Sequence, residues 1–265
     1  MTKRALVIAH DHLSTAGHVG DRLAQRGYAF DELLVVPAER YASPDVEPRF
    51  PAVAEYDLIL SLGAPWSVNR MNEWIRAELD LLRDARRLGI PVLGICFGGQ
   101  LLAASLGGSA ERAPRFELGW TEVEADEPEL VGPGPWFLFH GDRWLLPEAV
   151  PEGGGAGLPL RELARNEVAS QAFVCGRSMG VQFHPELTPE VLRAWFDHDD
   201  TGVAEALGAD PDALVKEVRA ALPETRERAY ALVDAFLERV ATADDGGVTC
   251  PPAGPNRGIG GPRGA

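Results

Sequence analysis

Four short apolar runs alternate with helical patterns over the first hundred residues, and no other feature restricts the fold so strongly. Ala5–Ala9 (ALVIA), Glu32–Val36, Tyr56–Leu62 (YDLILSL) and Ile90–Ile95 (IPVLGI) have the length and composition of buried strands. Ala16–Arg26, ending at Gly27, and Met71–Leu88, stopped by Gly89, read as helices. Elements in this order pair in parallel through right-handed crossovers, with helices on both faces. The expected fold class is α/β: a doubly wound, mostly parallel sheet flanked by helices.

Beyond Leu106 the texture changes. Trp120–Glu124, Trp136–Phe139, Gln171–Cys175 and Met179–Phe183 are shorter β-like runs between Gly-rich turns, expected in part as antiparallel additions at one side of the sheet. Gly153–Gly157 reads as a loop. Helical patterns return at Pro189–Phe196, Pro211–Leu222 and Glu224–Val240. The last repeats Ala229, Leu232, Val233, Phe236, Leu237 and Val240 at helical spacing and should pack on the body. The expected organisation is an α/β domain over 1–200, a helical extension packed on it over 201–241, and a disordered Gly-, Pro- and Asp-rich tail over 242–265.

Composition narrows the use of such a fold. The 265 residues are 45% apolar, enough for a buried core, and carry a formal net charge of −15. So acidic a chain has no general affinity for nucleic acid or anionic membranes. No run approaches the roughly 18 apolar residues of a membrane span, and Ala5–Ala9 is too short for the core of a signal peptide. Cys96, Cys175 and Cys250 are too few and too scattered for a disulfide framework or a zinc site. A reducing cytoplasm is the expected setting.

Two segments bear chemistry. Gly94-Ile95-Cys96-Phe97-Gly98-Gly99-Gln100 joins a buried strand to a helix. A tight strand-to-helix turn projects its central side chain above the sheet, and flanking glycines relieve the crowding. The thiol would sit at a helix N-terminus, a setting that generally favours anions. A cysteine that merely packs in a Gly-rich loop is the plainer alternative. A phosphate cradle is the weaker one, since neither Gly-Lys-Ser/Thr nor GxGxxG is present. Gly180-Val181-Gln182-Phe183-His184-Pro185-Glu186 ends a second strand, and residues two apart on extended backbone face the same way. Glu186 can therefore orient the His184 imidazole, supplying the base that a nucleophilic thiol needs.

Cys96 in GICFGGQ, with His184 and Glu186 in GVQFHPE, resembles the triad of class I glutamine amidotransferases. Phe116-Glu117-Leu118-Gly119-Trp120 is similar to that family's E-[IL]-G-W. Phe139-His140-Gly141-Asp142, followed by Leu145-Leu146-Pro147, resembles the W-H-G-D…L-P of the GMP synthase-like branch of stand-alone members. The likeness runs from about Ala5 to Val240 and implies a flavodoxin-like catalytic domain. It further implies that Cys96 attacks a glutamine side-chain amide, that His184 exchanges the protons and that Glu186 holds the ring. Backbone N–H groups of Ala64 and Phe97 would meet the oxyanion. Gly63, Gly98, Gln100, Gly141 and Asp142 would grip the amino-acid end of the substrate. No cofactor or metal is implied. Gly63-Ala64-Pro65 departs from the commoner Gly-Gly-Pro, so a positive φ at Ala64 would shift or strain the oxyanion loop.

Other side chains have plainer readings. His140 and Asp142 are either a second acid–base pair or structural support of the pocket. His10, His12 and His18, near Asp11, lack regular ligand spacing and read as a loop lining the acceptor side rather than a metal site. Cys175 reads as core, Cys250 as an inert tail residue, and Trp66 and Trp74 as packing or a substrate wall. The leading function is that of a glutaminase, a hydrolase of the transferase-associated kind, delivering ammonia to a separate synthetase partner, since no synthetase sequence follows the triad. A γ-glutamyl peptidase or hydrolase using the same triad is the alternative. A catalytically silent binding module is a third reading, disfavoured by the complete triad.

Overall fold

The computed structural model describes residues 2–150, 159–198 and 202–243. Its strands are β1 (Lys3–Ala9), β2 (Tyr28–Leu34), β3 (Leu58–Ser61), β4 (Val92–Ile95), β5 (Ser109–Thr121), β6 (Glu124–Ala125), β7 (Trp136–Leu145), β8 (Leu160–Arg165), β9 (Ser170–Cys175) and β10 (Ser178–Val181). Its α-helices are α1 (Gly17–Gln25), α2 (Glu73–Arg87), α3 (Phe97–Ser105), α4 (Pro189–Asp197), α5 (Val203–Ala206) and α6 (Pro211–Ala235). Eight strands form one mixed sheet in the order β2-β1-β3-β4-β10-β9-β8-β6. From β2 to β10 the pairing is parallel, and from β10 to β6 it is antiparallel. The doubly wound, mostly parallel α/β class is thus observed, with the antiparallel strands added at one side. β5 and β7 form a separate antiparallel ribbon.

Strand parity sorts the core into two layers, because successive side chains point to opposite faces. Ala5, Val7, Leu58, Leu60, Leu93 and Ile95 face a cluster shared with Val19 and Leu23 of α1 and Leu232 and Val233 of α6. Leu6, Ile8, Ile59 and Val92 face the opposite cluster, with Trp74, Ile75, Leu79 and Leu82 of α2 and Leu101 of α3. The α1–α6 contact is reinforced by Arg22, whose Nε donates to Asp234 at 2.9 Å, and by Arg26, which reaches Asp234 and Glu238 at 3.0 and 2.8 Å. Among the described residues no helix is long and apolar enough to cross a membrane.

Several expected boundaries move. The second strand is Tyr28–Leu34 rather than Glu32–Val36, because it pairs residue for residue with Lys3–Ala9 as an edge strand and tolerates polar residues. Val35 and Val36 instead donate to Ala9 and His10 carbonyls beyond it. The run at Trp120–Glu124 is divided: Trp120 and Thr121 end the much longer β5, while Glu124 begins β6 in the other sheet, and β8 carries no β-like signal in its sequence (LRELAR). The two C-terminal helices expected at Pro211–Leu222 and Glu224–Val240 are one helix, α6, with Pro223 inside it, closing in a π-turn over Phe236–Val240. An interior proline costs a helix about 3 kcal/mol. Here Val215 and Val218 pack beside α4 while Ala229, Leu232 and Val233 sit in the core, so packing at both ends outweighs that cost. Gly153–Gly157, Cys250 and all of the tail but Thr242 and Ala243 lie outside the described residues.

Candidate active site

The parallel strands β1, β3, β4 and β10 all end at one edge of the sheet, where α/β folds place their sites. The segments that leave β3, β4 and β10 carry Gly63, Cys96 and His184. Cys96 itself has φ 49° and ψ −107°, a left-handed turn that only one other non-glycine residue, Met71, shares in sign of φ among the described residues. Such a residue costs on the order of 1–3 kcal/mol and persists where its surroundings dictate it. The Cys96 N–H donates to Val181 O at 2.7 Å and the Gly98 N–H to Leu62 O at 3.0 Å. A Cβ on Gly98 would lie 2.2 Å from Ser61 O, and one on Gly94 would lie 2.6 Å from Gly98 O. The glycines of GICFGGQ thus let three backbone segments meet under the thiol.

His184 follows β10, its N–H held by Phe137 O of the ribbon at 2.9 Å. Nδ1–H donates to Glu186 Oε1 at 2.7 Å, and Trp195 packs edge-on to the ring at 4.9 Å. Nε2 is buried without an aligned hydrogen-bond partner. Burial disfavours the imidazolium, but the Glu186 carboxylate and the Cys96 sulfur outweigh it and push the His184 pKa up to about 10. This proton is therefore held more tightly in the folded chain than in the unfolded one, where histidine titrates near ~6.5. The stability it contributes is complete below about pH 6.5 and is lost as pH rises through about 10. Urea unfolding between those limits should show wild type losing more stability than His184→Asn; parallel losses would refute the coupling.

Glu186 is anchored by α1. The His18 N–H donates to Glu186 O at 3.3 Å, and Gly17, at φ +43°, lies so close that a Cβ there would be 1.8 Å from the same oxygen. Gly63 borders both His184 and Cys96: a Cβ on it would sit 3.2 Å from His184 Cε1 and 3.8 Å from Cys96 Cβ. The N–H groups of Ala64 and Phe97 have no hydrogen-bond partner among the described residues. Ala64 does not have positive φ, so the strain expected from Gly63-Ala64-Pro65 is absent.

Gln100 is buried at the start of α3, its Nε2 donating to Asp142 O at 3.0 Å. The ribbon brings Gly141 and Asp142 to that contact. His140 Nδ1 also bonds Asp142 O at 3.0 Å, and Nε2 lies 3.0 Å from Glu117 Oε2, an ion-pair distance outside hydrogen-bond alignment. Glu117 is tied in turn to Asn166 at 2.8 Å and Gln171 at 3.2 Å. So interlocked a His140 fits structural support of the pocket better than an acid–base pair with Asp142.

Sequence reasoning missed two features. Gln182, quoted only as part of GVQFHPE, is fully buried and directs Nε2 at Cys96 Sγ at 3.5 Å; strand parity places it opposite Val181, and nothing local marks its partner. His10 does lie in the loop directly after β1, but it is fully buried against Glu78, which occupies the apolar face of α2. A glutamate within that helical stripe was the available signal. Asp11 caps the Leu13 and Ser14 amides at 2.8 Å each, His12 is exposed and Cys175 lies in the core. Trp74 is core, and Trp66 packs half-buried at 6.0 Å from it. No group of three or more His, Cys, Asp and Glu among the described residues could hold a metal ion.

The model of the family described as "Glutamine amidotransferase class-I" matches residues 17–142, including Cys96 and its elbow. That span is just under half of the chain, and over it the chain is similar to this family. Among curated amidotransferase relatives, a GMP synthase (glutamine-hydrolyzing) of Thermus thermophilus is 36% identical over 170 residues, 60% of this chain and 30% of that protein. One from Thiobacillus denitrificans is 38% identical over 114 residues, 38% of this chain and 21% of that one. The chain thus spans a third or less of the length of these relatives. Solved glutamine amidotransferases share the fold along most of their length: that of Thermotoga maritima has a TM-score of 0.73 at 24% identity, covering 90% of this chain and 99% of that one. That of Methylobacillus flagellatus has 0.74 at 24%, covering 89% and 95%.

Proposed function

We propose that this chain is a class I glutamine amidotransferase of the GMP synthase-like stand-alone branch, hydrolysing the side-chain amide of glutamine through a γ-glutamyl thioester on Cys96. The observation that carries the reading is the meeting of a cysteine in a left-handed elbow with a histidine bound to Glu186 at 2.7 Å. The Cys96 thiolate attacks the amide carbon. The oxyanion that forms accepts from Ala64 and Phe97 N–H, and donors of this kind are worth ~3–4 kcal/mol of barrier each. The His184 imidazolium gives its proton to the departing nitrogen, which leaves as ammonia. Neutral His184 then takes a proton from water, the hydroxide adds to the thioester, and glutamate and the thiolate are released. Gly63, Gly98, Gln100, Gly141 and Asp142 frame the amino-acid end of the substrate.

Ammonia passes to a separate synthetase, a role supported by relatives whose names join GMP synthesis to glutamine hydrolysis. A reducing cytoplasm suits a thiol nucleophile. The test is a comparison of glutamate release from glutamine and from γ-glutamyl dipeptides. Turnover of glutamine that a glutamine-analogue diazoketone blocks by alkylating Cys96 is the expected result. Cleavage of dipeptides alone would reassign the chain as a γ-glutamyl peptidase, and release from neither substrate would refute the proposal.

A further inference from the structure

We infer that His10 and Glu78 act as positioning residues that aim the Ala64 amide at the oxyanion, an inference that rests on the reaction proposed above. His10 continues the parity of Leu6 and Ile8 out of β1 toward α2, and Glu78 interrupts the buried stripe of Trp74, Ile75, Leu79 and Leu82. The two meet with no exposure at all: His10 Nε2 lies 2.9 Å from Glu78 Oε2. Such a pair is unfavourable in a core unless partners occupy its polar atoms. Here they do. Ser61 Oγ–H donates to Glu78 Oε1 at 2.7 Å, and His10 Nδ1 lies 3.1 Å from Gly63 O.

A carbonyl oxygen can only accept, so Nδ1 carries a hydrogen and donates to Gly63 O wherever the proton between His10 and Glu78 resides. That carbonyl shares one rigid peptide plane with the Ala64 N–H. The Gly63–Ala64 bond is trans, because Gly134–Pro135 is the only cis bond among the described residues. The Ala64 N–H therefore points away from His10, and holding the carbonyl fixes the direction of the amide. Leu62, the residue before, is clamped as well, its N–H on Ile8 O at 3.1 Å and its carbonyl on the Gly98 N–H at 3.0 Å. A hydrogen bond to the carbonyl also polarises the peptide and strengthens its N–H as a donor. The same His10 ring stands edge-on to Phe97 at 4.8 Å, so it touches Phe97 as well as the carbonyl of the peptide that carries the Ala64 N–H.

Two substitutions of equal polarity separate this role from simple packing. His10→Asn carries its amide nitrogen near the Nδ1 position and keeps the donor to Gly63 O. His10→Gln carries it near Nε2 and keeps only the contact with Glu78. With glutamine or a γ-glutamyl dipeptide as substrate, H10Q is expected to lower kcat about 10²-fold with KM changed less than about threefold, while H10N stays within about tenfold of wild type. Alkylation of Cys96 by iodoacetamide, which builds no oxyanion, should proceed at the wild-type rate in both. Equal kcat in the two variants, or alkylation falling in step with kcat, overturns the inference. If H10Q does not fold, Glu78→Gln serves in its place: a fall in kcat with unchanged alkylation supports the role, and unchanged kcat overturns it. A wild type inactive on both substrates overturns the functional reading and this one with it, whereas an active wild type with equal variants overturns this one alone.

Discussion

A Cys96→Ala chain releases no glutamate from glutamine above background, a fall of about 10⁴–10⁶-fold in kcat, while its thermal midpoint stays within a few degrees of wild type. Alanine removes one sulfur from a site that Gly94, Gly98 and Val181 already shape through backbone contacts. It inherits the left-handed φ of 49° without adding bulk, so the elbow keeps its form. What disappears is the atom to which His184 and the Gln182 amide are directed. Glutamine should still bind, and binding without turnover, measured by calorimetry, separates lost chemistry from a lost pocket. Residual activity above about a hundredth of wild type would mean that Cys96 is not the nucleophile.

Gly17→Ala, in a residue with no part in the chemistry, is expected to lower kcat at least about 10²-fold and stability by about 2–3 kcal/mol. The added Cβ would have to occupy a point 1.8 Å from Glu186 O, at a φ of +43°. Either α1 retreats or the Glu186 backbone moves, and the carboxylate that orients His184 moves with it. Gly27→Ala is the control. It has φ +87° with nothing within 4 Å of its would-be Cβ, so it should cost only the conformational penalty of about 1 kcal/mol and leave activity intact. Kinetics and urea melts on the two variants decide the matter; equal activities would show that α1 does not set the position of Glu186.

Much of this was legible in the chain itself. Strand and helix order follows from apolar periodicity, and the elbow and the His184–Glu186 spacing are local patterns that need only a few neighbouring residues. The features that escaped depend on partners distant in sequence. Gln182 meets Cys96 across two strands, and His10 meets Glu78 across 68 residues. Pro223 marks a helix end by local preference, yet α6 runs through it because contacts at both its ends favour a single rod. Tyr28–Leu34 is chosen by its register against β1, which no property of its own seven residues announces.

The contact between α1 and α6 bears on how a fragment of this protein should be cut. The family match stops at residue 142 and the last member of the proposed triad is Glu186, so a gene fragment ending shortly after α4 looks sufficient. It would leave Val19 and Leu23 without Leu232, Val233 and Phe236, and Arg22 without Asp234. α1 would then lose its backing while still being required to grip Glu186 O through the His18 amide. The shortest piece worth expressing with the triad aligned therefore extends to about Val240, well past the last residue that touches the chemistry.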